Sequence, residues 1–378
     1  KNTTNNKRKT REIMGLLNTR EQTADERRDR ERSQAIEVQL KQARKQRDKE
    51  LLLLLLGTDH AGKSTLSKQL RLLNSENLPE KEIGEVRGHV GRNIYDNLKA
   101  LLKEVEKRDL ELQARTKEVV EKAEWLNDPK RTLSVAIGED IKKIWADDAV
   151  KRAFAMNEGT IEDSAPYFFE EKNIDRICKD SYTPTKEDFL RVRSETQGIS
   201  EIKFEINEVE FKMIDIAGQK SQRKKYMHHF ENVTAVIFVA SMSEYNQLME
   251  EDAQVRKMQE SLDYFEEVAK DKWFKDTPII LFLNKNDIFK EKIQQIDLKC
   301  MFPDYEGGCD YGKAADYLEE KFKRTSGLNK YNDEEEIKER FLYIHRTCAT
   351  DTENVNFIFN SVKDMVLRQA LAAVDFEE

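Results

Sequence analysis

Residues Leu51 to Thr65 read LLLLLLGTDHAGKST, and no other stretch constrains the chain as strongly. Six leucines fall far short of the roughly 20 apolar residues that a membrane helix needs. Ended by Gly57, they read as a buried strand. Four residues and then Gly62-Lys63-Ser64 follow at once, and from Leu66 the pattern is helical. Strand, glycine-bounded loop and helix start are the context in which GxxxxGK[ST] makes a phosphate-binding P-loop. Backbone N–H groups of such a loop point at phosphate oxygens, and the helix N-terminus adds partial positive charge. Lys63 is placed to reach β- and γ-phosphates, and the Ser64 hydroxyl to hold Mg²⁺.

Composition sets milder bounds. A length of 378 residues predicts two or more domains, and 37% charged residues demand much solvated surface. The four cysteines (Cys178, Cys300, Cys309, Cys348) lack metal-ligand spacing and read as reduced thiols of a cytosolic protein. No signal peptide is visible, and the sequence begins at Lys1. Residues 1–50 carry a net charge of +6 against −14 for the remainder. That basic arm suits an anionic membrane or a partner, or is simply a solvated helix face. An acidic body without interleaved aromatics excludes strong nucleic-acid binding.

Along the chain, residues 1–19 are polar and expected to be disordered. Residues 20–50 are charged and Pro-free with few apolar positions, which predicts an exposed helix wanting a partner. The P-loop unit covers 51–73. Residues 74–189 read as helical, with Leu98, Leu101, Leu102 and Val105 at helix spacing. Beyond 190, strands alternate with helices: a β-rich segment from Phe204 to Ile214, then the apolar runs 235–239 and 279–283. The expected fold is therefore an α/β domain with a mostly parallel, doubly wound sheet (51–73 and 190–378), carrying an all-helical insertion (74–189).

Two further motifs sit at strand ends, where open α/β sheets bind ligands. Asp215-Ile-Ala-Gly-Gln219 offers a carboxylate for Mg²⁺ through water, the Gly218 N–H for a γ-phosphate, and Gln219 to orient water. Asn284-Lys-Asn-Asp287 offers the Asp287 carboxylate to the N1–H and 2-amino group of guanine, a donor pair adenine lacks. Lys285 is expected to lay its alkyl stem over the base. Thr347-Cys-Ala-Thr350, after another apolar run, offers the Ala349 N–H to the guanine oxygen. A lone NKxD is weak; capping a strand after a P-loop and DxxGQ strengthens it.

In order, GxxxxGKST, Asp163-Ser-Ala165, LRVRSETQGI (190–199), DIAGQ, FLNKND and TCATDTEN resemble the α subunits of heterotrimeric G proteins over nearly the whole chain. Lys272-Trp273-Phe274 and Arg223-Lys-Lys225 are similar to that family as well. The resemblance implies a Ras-like P-loop GTPase domain, an inserted helical domain that buries GTP or GDP, and Mg²⁺. It implies that Asp59, His60, Ala61, Gly62, Lys63, Ser64 and Thr65 surround the phosphates. Asp163, Ser164, Leu190, Arg191, Arg193, Thr196 and Gly218 would also face the nucleotide, and Asn284, Lys285, Asp287, Cys348, Ala349 and Thr350 the base. Ser64 and Thr196 would bind Mg²⁺ directly, and Asp215 through water. Lys63, Gln219 and Arg193, the last matching an arginine finger supplied in cis, would carry catalysis. The implied partners are a βγ dimer at the N-terminal helix and after Gln219, a seven-helix receptor at the C-terminus, effectors, and regulators of hydrolysis. The implied location is peripheral, at the cytoplasmic face of the plasma membrane.

The departures from the family are specific. Its loop runs GAGESGKST, whereas here Asp59 replaces a glycine and His60 replaces the acid that pairs with the cis arginine. Asp59 either obstructs hydrolysis, leaving a guanine-nucleotide-gated binding module, or supplies Arg193 with its missing anion. Ala217 replaces a glycine, as in many small GTPases. Met14-Gly15 fits a myristoylation start, but thirteen residues precede it and no cysteine follows nearby, so both a used start and a coincidence stay open. Val374-Asp375 stand where some members carry a toxin-modified cysteine. Asp287 and the helical insertion disfavour a P-loop ATPase or nucleotide kinase.

Overall fold

The computed structural model describes residues 51–73, 80–127, 132–194, 198–206, 209–220, 233–249, 252, 254–327, 342–360 and 362–363. The predicted arm and helix (1–50), Thr196, Arg223-Lys-Lys225, most of the segment after Gln219 and the extreme C-terminus lie outside them.

Six strands form one sheet: β1 (Leu51–Gly57), β2 (Ile199–Ile206), β3 (Val209–Ile216), β4 (Ala235–Ser241), β5 (Ile279–Asn284) and β6 (Leu342–Arg346). Their spatial order is β2-β3-β1-β4-β5-β6, parallel except for the β2–β3 pair. The leucine run is a buried strand because both faces of its pleat are covered. Leu54 and Leu56 join the core on one face, and Leu53 and Leu55 the core on the other. In β4, Val236, Phe238 and Ala240 join the first core, whereas Ala235, Ile237 and Val239 join the second. The first face is covered by the helices Lys257–Lys270 and Tyr311–Ser326, the second by α1 (Lys63–Leu73) and a helix over 352–360. That is the doubly wound arrangement expected.

Between α1 and β2, the described chain has no strand. It runs through α2 (Glu80–Lys107), α3 (Ala114–Lys122), α4 (Val135–Trp145), α5 (Asp148–Ala155), α6 (Ala165–Phe169), α7 (Glu171–Ile177) and α8 (Lys186–Arg191). Val90, Ile94, Leu98, Leu101 and Val105 form a helical stripe on α2. They pack with Ile141, Ile144, Val150, Phe168, Phe169 and Ile174 into a separate core. Sequence spacing placed Leu102 in that stripe; it is only half-buried at the rim.

One β-rich segment from Phe204 to Ile214 resolves into two antiparallel strands. Register pairs Ile199 with Ile216 at one end and Ile206 with Val209 at the other. This hairpin closes the sheet edge and brings Asp215 beside β1, opposite Leu55.

Candidate functional site

A cavity of about 270 Å³ opens at the carboxyl ends of the parallel strands. It lies beside β1, where the chain switches from β3 on one side to β4 on the other, the position at which such sheets bind ligands. From the P-loop, Asp59, His60, Gly62, Lys63, Ser64 and Thr65 line it. Lys63 curls back over the loop, donating to the carbonyls of Gly57 at 3.0 Å and Thr58 at 2.8 Å. Packing around the loop leaves no room for side chains at its glycines or at Gly218. A β-carbon on Gly218 would stand 2.4 Å from Lys63 Nζ and 2.7 Å from the Asp59 nitrogen. One on Gly62, at φ 103°, would stand 2.1 Å from Asn284 Nδ2. Ala61 is fully buried behind this wall.

Asn284, expected at the base, ties three motifs of the protein together. Its Nδ2 donates to the Ala61 carbonyl at 2.9 Å, and its Oδ1 accepts from Thr347 Oγ1 at 3.1 Å and the Ala349 N–H at 3.0 Å. The Ala349 N–H expected to face the guanine oxygen thus donates to Asn284 in this structure. Cys348, Ala349, Thr350, Lys285 and Asp287 line the cavity with it. Burial raises the Cys348 thiol above its ordinary value. Lys285 adopts the left-handed φ of 57°, a strained conformation for a side-chain-bearing residue. Its ammonium donates to Asp163 Oδ2 at 2.7 Å and Glu244 Oε1 at 2.8 Å. Burial pushes the Asp163 carboxyl up, but Lys285 and Lys292 more than offset it and hold it at about 2.

Asp215 lies behind the P-loop helix rather than on the cavity lining. Ser67 donates to its Oδ2 at 3.1 Å, and its buried Oδ1 has no hydrogen-bond partner among the described residues. Burial holds this carboxyl above its ordinary value against the pull of Lys63. A buried carboxylate oxygen left open in this way fits a hard, oxygen-liganded divalent cation.

The opposite wall comes from the helical segment and the chain leaving it. Asp163, Ser164, Leu190, Arg191 and Arg193 all line the cavity, as do Gly218 and Gln219. Thr65 Oγ1 donates to the Leu190 carbonyl at 3.4 Å, and Arg191 stacks 4.5 Å over the Tyr167 ring. Lys68, not foreseen from sequence, donates to the Val192 carbonyl at 2.6 Å. Burial, and secondarily Arg71, lowers its ammonium to about 8.

Arg193 is held through both its backbone and its side chain. Its backbone N–H donates to Asn93 Oδ1 at 2.6 Å. Nη1 donates to Glu162 Oε1 at 2.5 Å, and Nη2 lies 2.9 Å from His60 Nε2 and 3.7 Å from Asp59 Oδ2. His60 also lies 3.4 Å from Asp59 Oδ2 and 3.7 Å from Glu162 Oε2, so the imidazole sits among the guanidinium and both carboxylates. Burial opposes charge on Glu162, yet its hydrogen bond with His60 and the positive charges around it, Arg193 and Lys285 among them, hold the carboxyl at about 2. From sequence, Asp59 either obstructs hydrolysis or pairs with Arg193; the carboxylate nearest Arg193 is Glu162. Only its place beside Asp163 could have flagged it. Asp59 itself is 47% exposed and accepts the His60 N–H at 3.1 Å.

A family model described as G-protein alpha subunit matches residues 30–366. The chain is 38% identical over 346 residues to the guanine nucleotide-binding protein alpha-2 subunit of Dictyostelium discoideum, covering 89% of this chain and 94% of that one. It is 38% identical over 355 residues to the G(o) subunit alpha of Locusta migratoria, covering 92% and 97%. Against the guanine nucleotide-binding protein subunit alpha of Emericella nidulans, identity is 36% over 344 residues, covering 90% and 94%. With the GxxxxGKST loop, the NKND strand end and Arg193 around one cavity, and relatives matched nearly end to end, the chain belongs to the G-protein alpha subunit family.

Proposed function

We propose that this chain binds GTP in the cavity and hydrolyses it, acting as the timed switch of a heterotrimeric G protein. Family members are GTPases that bind guanine nucleotide. The observation that carries the reading for these residues is convergence: Lys63, Asp287, Arg193 and Gln219, spread over 225 residues, line one cavity. Lys63 and the P-loop N–H groups bind the β- and γ-phosphates, and Asp287 selects guanine. Ser64 and Thr196 would hold Mg²⁺ directly and Asp215 through water; the ion supplies charge neutralisation on the phosphates. Gln219 orients a water for in-line attack on the γ-phosphorus, the bond to the bridging oxygen breaks, and GDP and phosphate leave. Arg193 stabilises charge on the equatorial oxygens. Such an arginine is worth roughly 10³–10⁵ in rate, a magnitude taken from this enzyme class rather than derived from this chain.

The test is nucleotide selectivity. Wild type is expected to bind GTP far more tightly than ATP, and Asp287→Asn to shift preference toward xanthine nucleotides. Sites built on buried hydrogen bonds reject mismatched partners by about 10⁴ or more. Equal affinity of the wild type for ATP and GTP overturns the reading.

Asp59 carried the alternative of a binding module that hydrolyses poorly. Its exposure and its direction toward His60 and Arg193 support the pairing reading over obstruction. We further propose that a βγ dimer binds the N-terminal segment and the stretch after Gln219, that a seven-helix receptor engages the C-terminus, and that the chain works peripherally at the cytoplasmic face of the plasma membrane. Among the described residues, no helix is long and apolar enough to cross a membrane.

A further inference from the structure

Glu162 and Arg193 reach the cavity from different parts of the chain. Glu162 lies in the turn before α6, in a stretch whose neighbours Ile161 and Ala165 belong to the helical core. Arg193 follows α8 on the way back to the sheet. His60, the second partner of the guanidinium, belongs to the P-loop. Arg193 therefore links the helical segment to the P-loop at the cavity wall. The adjacent Asp163 makes a second link, to Lys285 at the end of β5. Two successive carboxylates of the helical segment thus bind two cations, one beside the phosphate loop and one beside the NKND strand end.

An exposed pair of this kind would contribute little. This one is different in setting. The two side chains are only 22% and 30% exposed, and the contact is 2.5 Å. The guanidinium also has a second nitrogen and its own backbone N–H engaged. The carboxyl stays ionised throughout the physiological range. Breaking a shielded pair by removing one partner strands the other charge.

We propose that Glu162 is a positioning residue for Arg193: the Glu162–Arg193 pair docks the arginine on the helical segment and bars the nucleotide cavity, so that one contact governs both nucleotide release and arginine placement. The inference rests on the GTPase reading above. An unanchored arginine samples many rotamers, and its contribution to an electrostatically stabilised transition state falls with every orientation lost. A helical segment that loses a shielded ionic link to the rest of the cavity wall opens more often, and nucleotide leaves sooner.

The test uses the full chain. Release of a fluorescent GDP analogue and single-turnover GTP hydrolysis are measured for wild type, Glu162→Gln, Glu162→Asp, Arg193→Ala and the Glu162→Gln/Arg193→Ala double variant. Glu162→Gln keeps size and hydrogen-bonding capacity but loses charge. It is expected to speed GDP release about tenfold and to slow hydrolysis about tenfold, with GTP affinity changed far less. Glu162→Asp, which keeps the charge on a shorter stem, is expected to recover most of both rates. In the Arg193→Ala background, Glu162→Gln is expected to add nothing further to release. Unchanged release and hydrolysis in Glu162→Gln overturn the proposal, as do effects that simply add to those of Arg193→Ala. Equal slowing by Gln and Asp also overturns it, because charge would then be irrelevant. A wild-type chain that fails to bind GTP overturns the GTPase reading and the inference together, whereas normal binding with unaltered release removes only the inference.

Discussion

Asp59 shows how far residue identity carries and where it stops. A carboxylate in place of a P-loop glycine predicts either bulk in the reaction path or a new partner for the cis arginine. The side chain turns outward, accepts the His60 N–H and stands 3.7 Å from Arg193. Asp59→Gly is accordingly expected to change the single-turnover hydrolysis rate by less than about threefold. A gain of tenfold or more would restore the obstruction reading. Asn284 is the converse case: its place at a strand end was legible, but its partners were not. It satisfies the Ala61 carbonyl, the Thr347 hydroxyl and the Ala349 N–H. Asn284→Ala would orphan these buried groups, at about 1–3 kcal/mol each before relaxation. The expected outcome is a lower unfolding midpoint together with weaker nucleotide affinity. Unaltered thermal stability would show that the tie between motifs is dispensable.

Among the elements, α8 decides where Arg193 leaves the helical segment. Thr185 and Asp188 form a capping box at its start. The fully buried Asp188 also binds Arg176 through both carboxylate oxygens, at 2.6 and 2.8 Å, and accepts from Tyr167 and Tyr182. Removing that carboxylate in Asp188→Ala is expected to cost about 3 kcal/mol or more, read from the denaturant midpoint. Burial raises the Asp188 carboxyl, but Arg176, the Thr185 N–H and Tyr167 together hold it below its ordinary 3.8. A depressed acid stabilises the fold fully above its unfolded value and loses that contribution as pH falls through the folded one. Acid unfolding below about pH 4 is therefore expected to be steeper in wild type than in Asp188→Ala. Identical acid limbs would remove Asp188 from the account. The hairpin β2–β3 marks the limit of reading elements from sequence. No Asn-Gly or Asp-Gly pair announces its turn, so two strands read as one.

For the whole molecule, every described residue of the cavity lies at or beyond Asp59. A chain beginning at about Lys49 is thus expected to keep GTP affinity within roughly twofold, since it loses no cavity contact. The same truncation is expected to lose βγ association, because the basic segment 20–50 carries too thin an apolar stripe to bury without a partner. Full βγ binding by the truncated chain would contradict that placement. The sheet, its two covered faces and the order of motifs were determined by the sequence itself. Uninterrupted apolar runs dictate the buried strands, stripes at helix spacing dictate helices, and GxxxxGKST between them dictates a phosphate loop; all are local along the chain. Tertiary structure decided what needs distance in sequence and nearness in space: that Asn284 braces the P-loop, that Ser67 holds one oxygen of Asp215 and leaves the other open, and that Glu162 rather than Asp59 is the anion nearest Arg193. Pattern and propensity act over a few residues. The pairing of buried charges is settled only when separate elements pack and shut out water, which makes an unpaired charge too costly to leave.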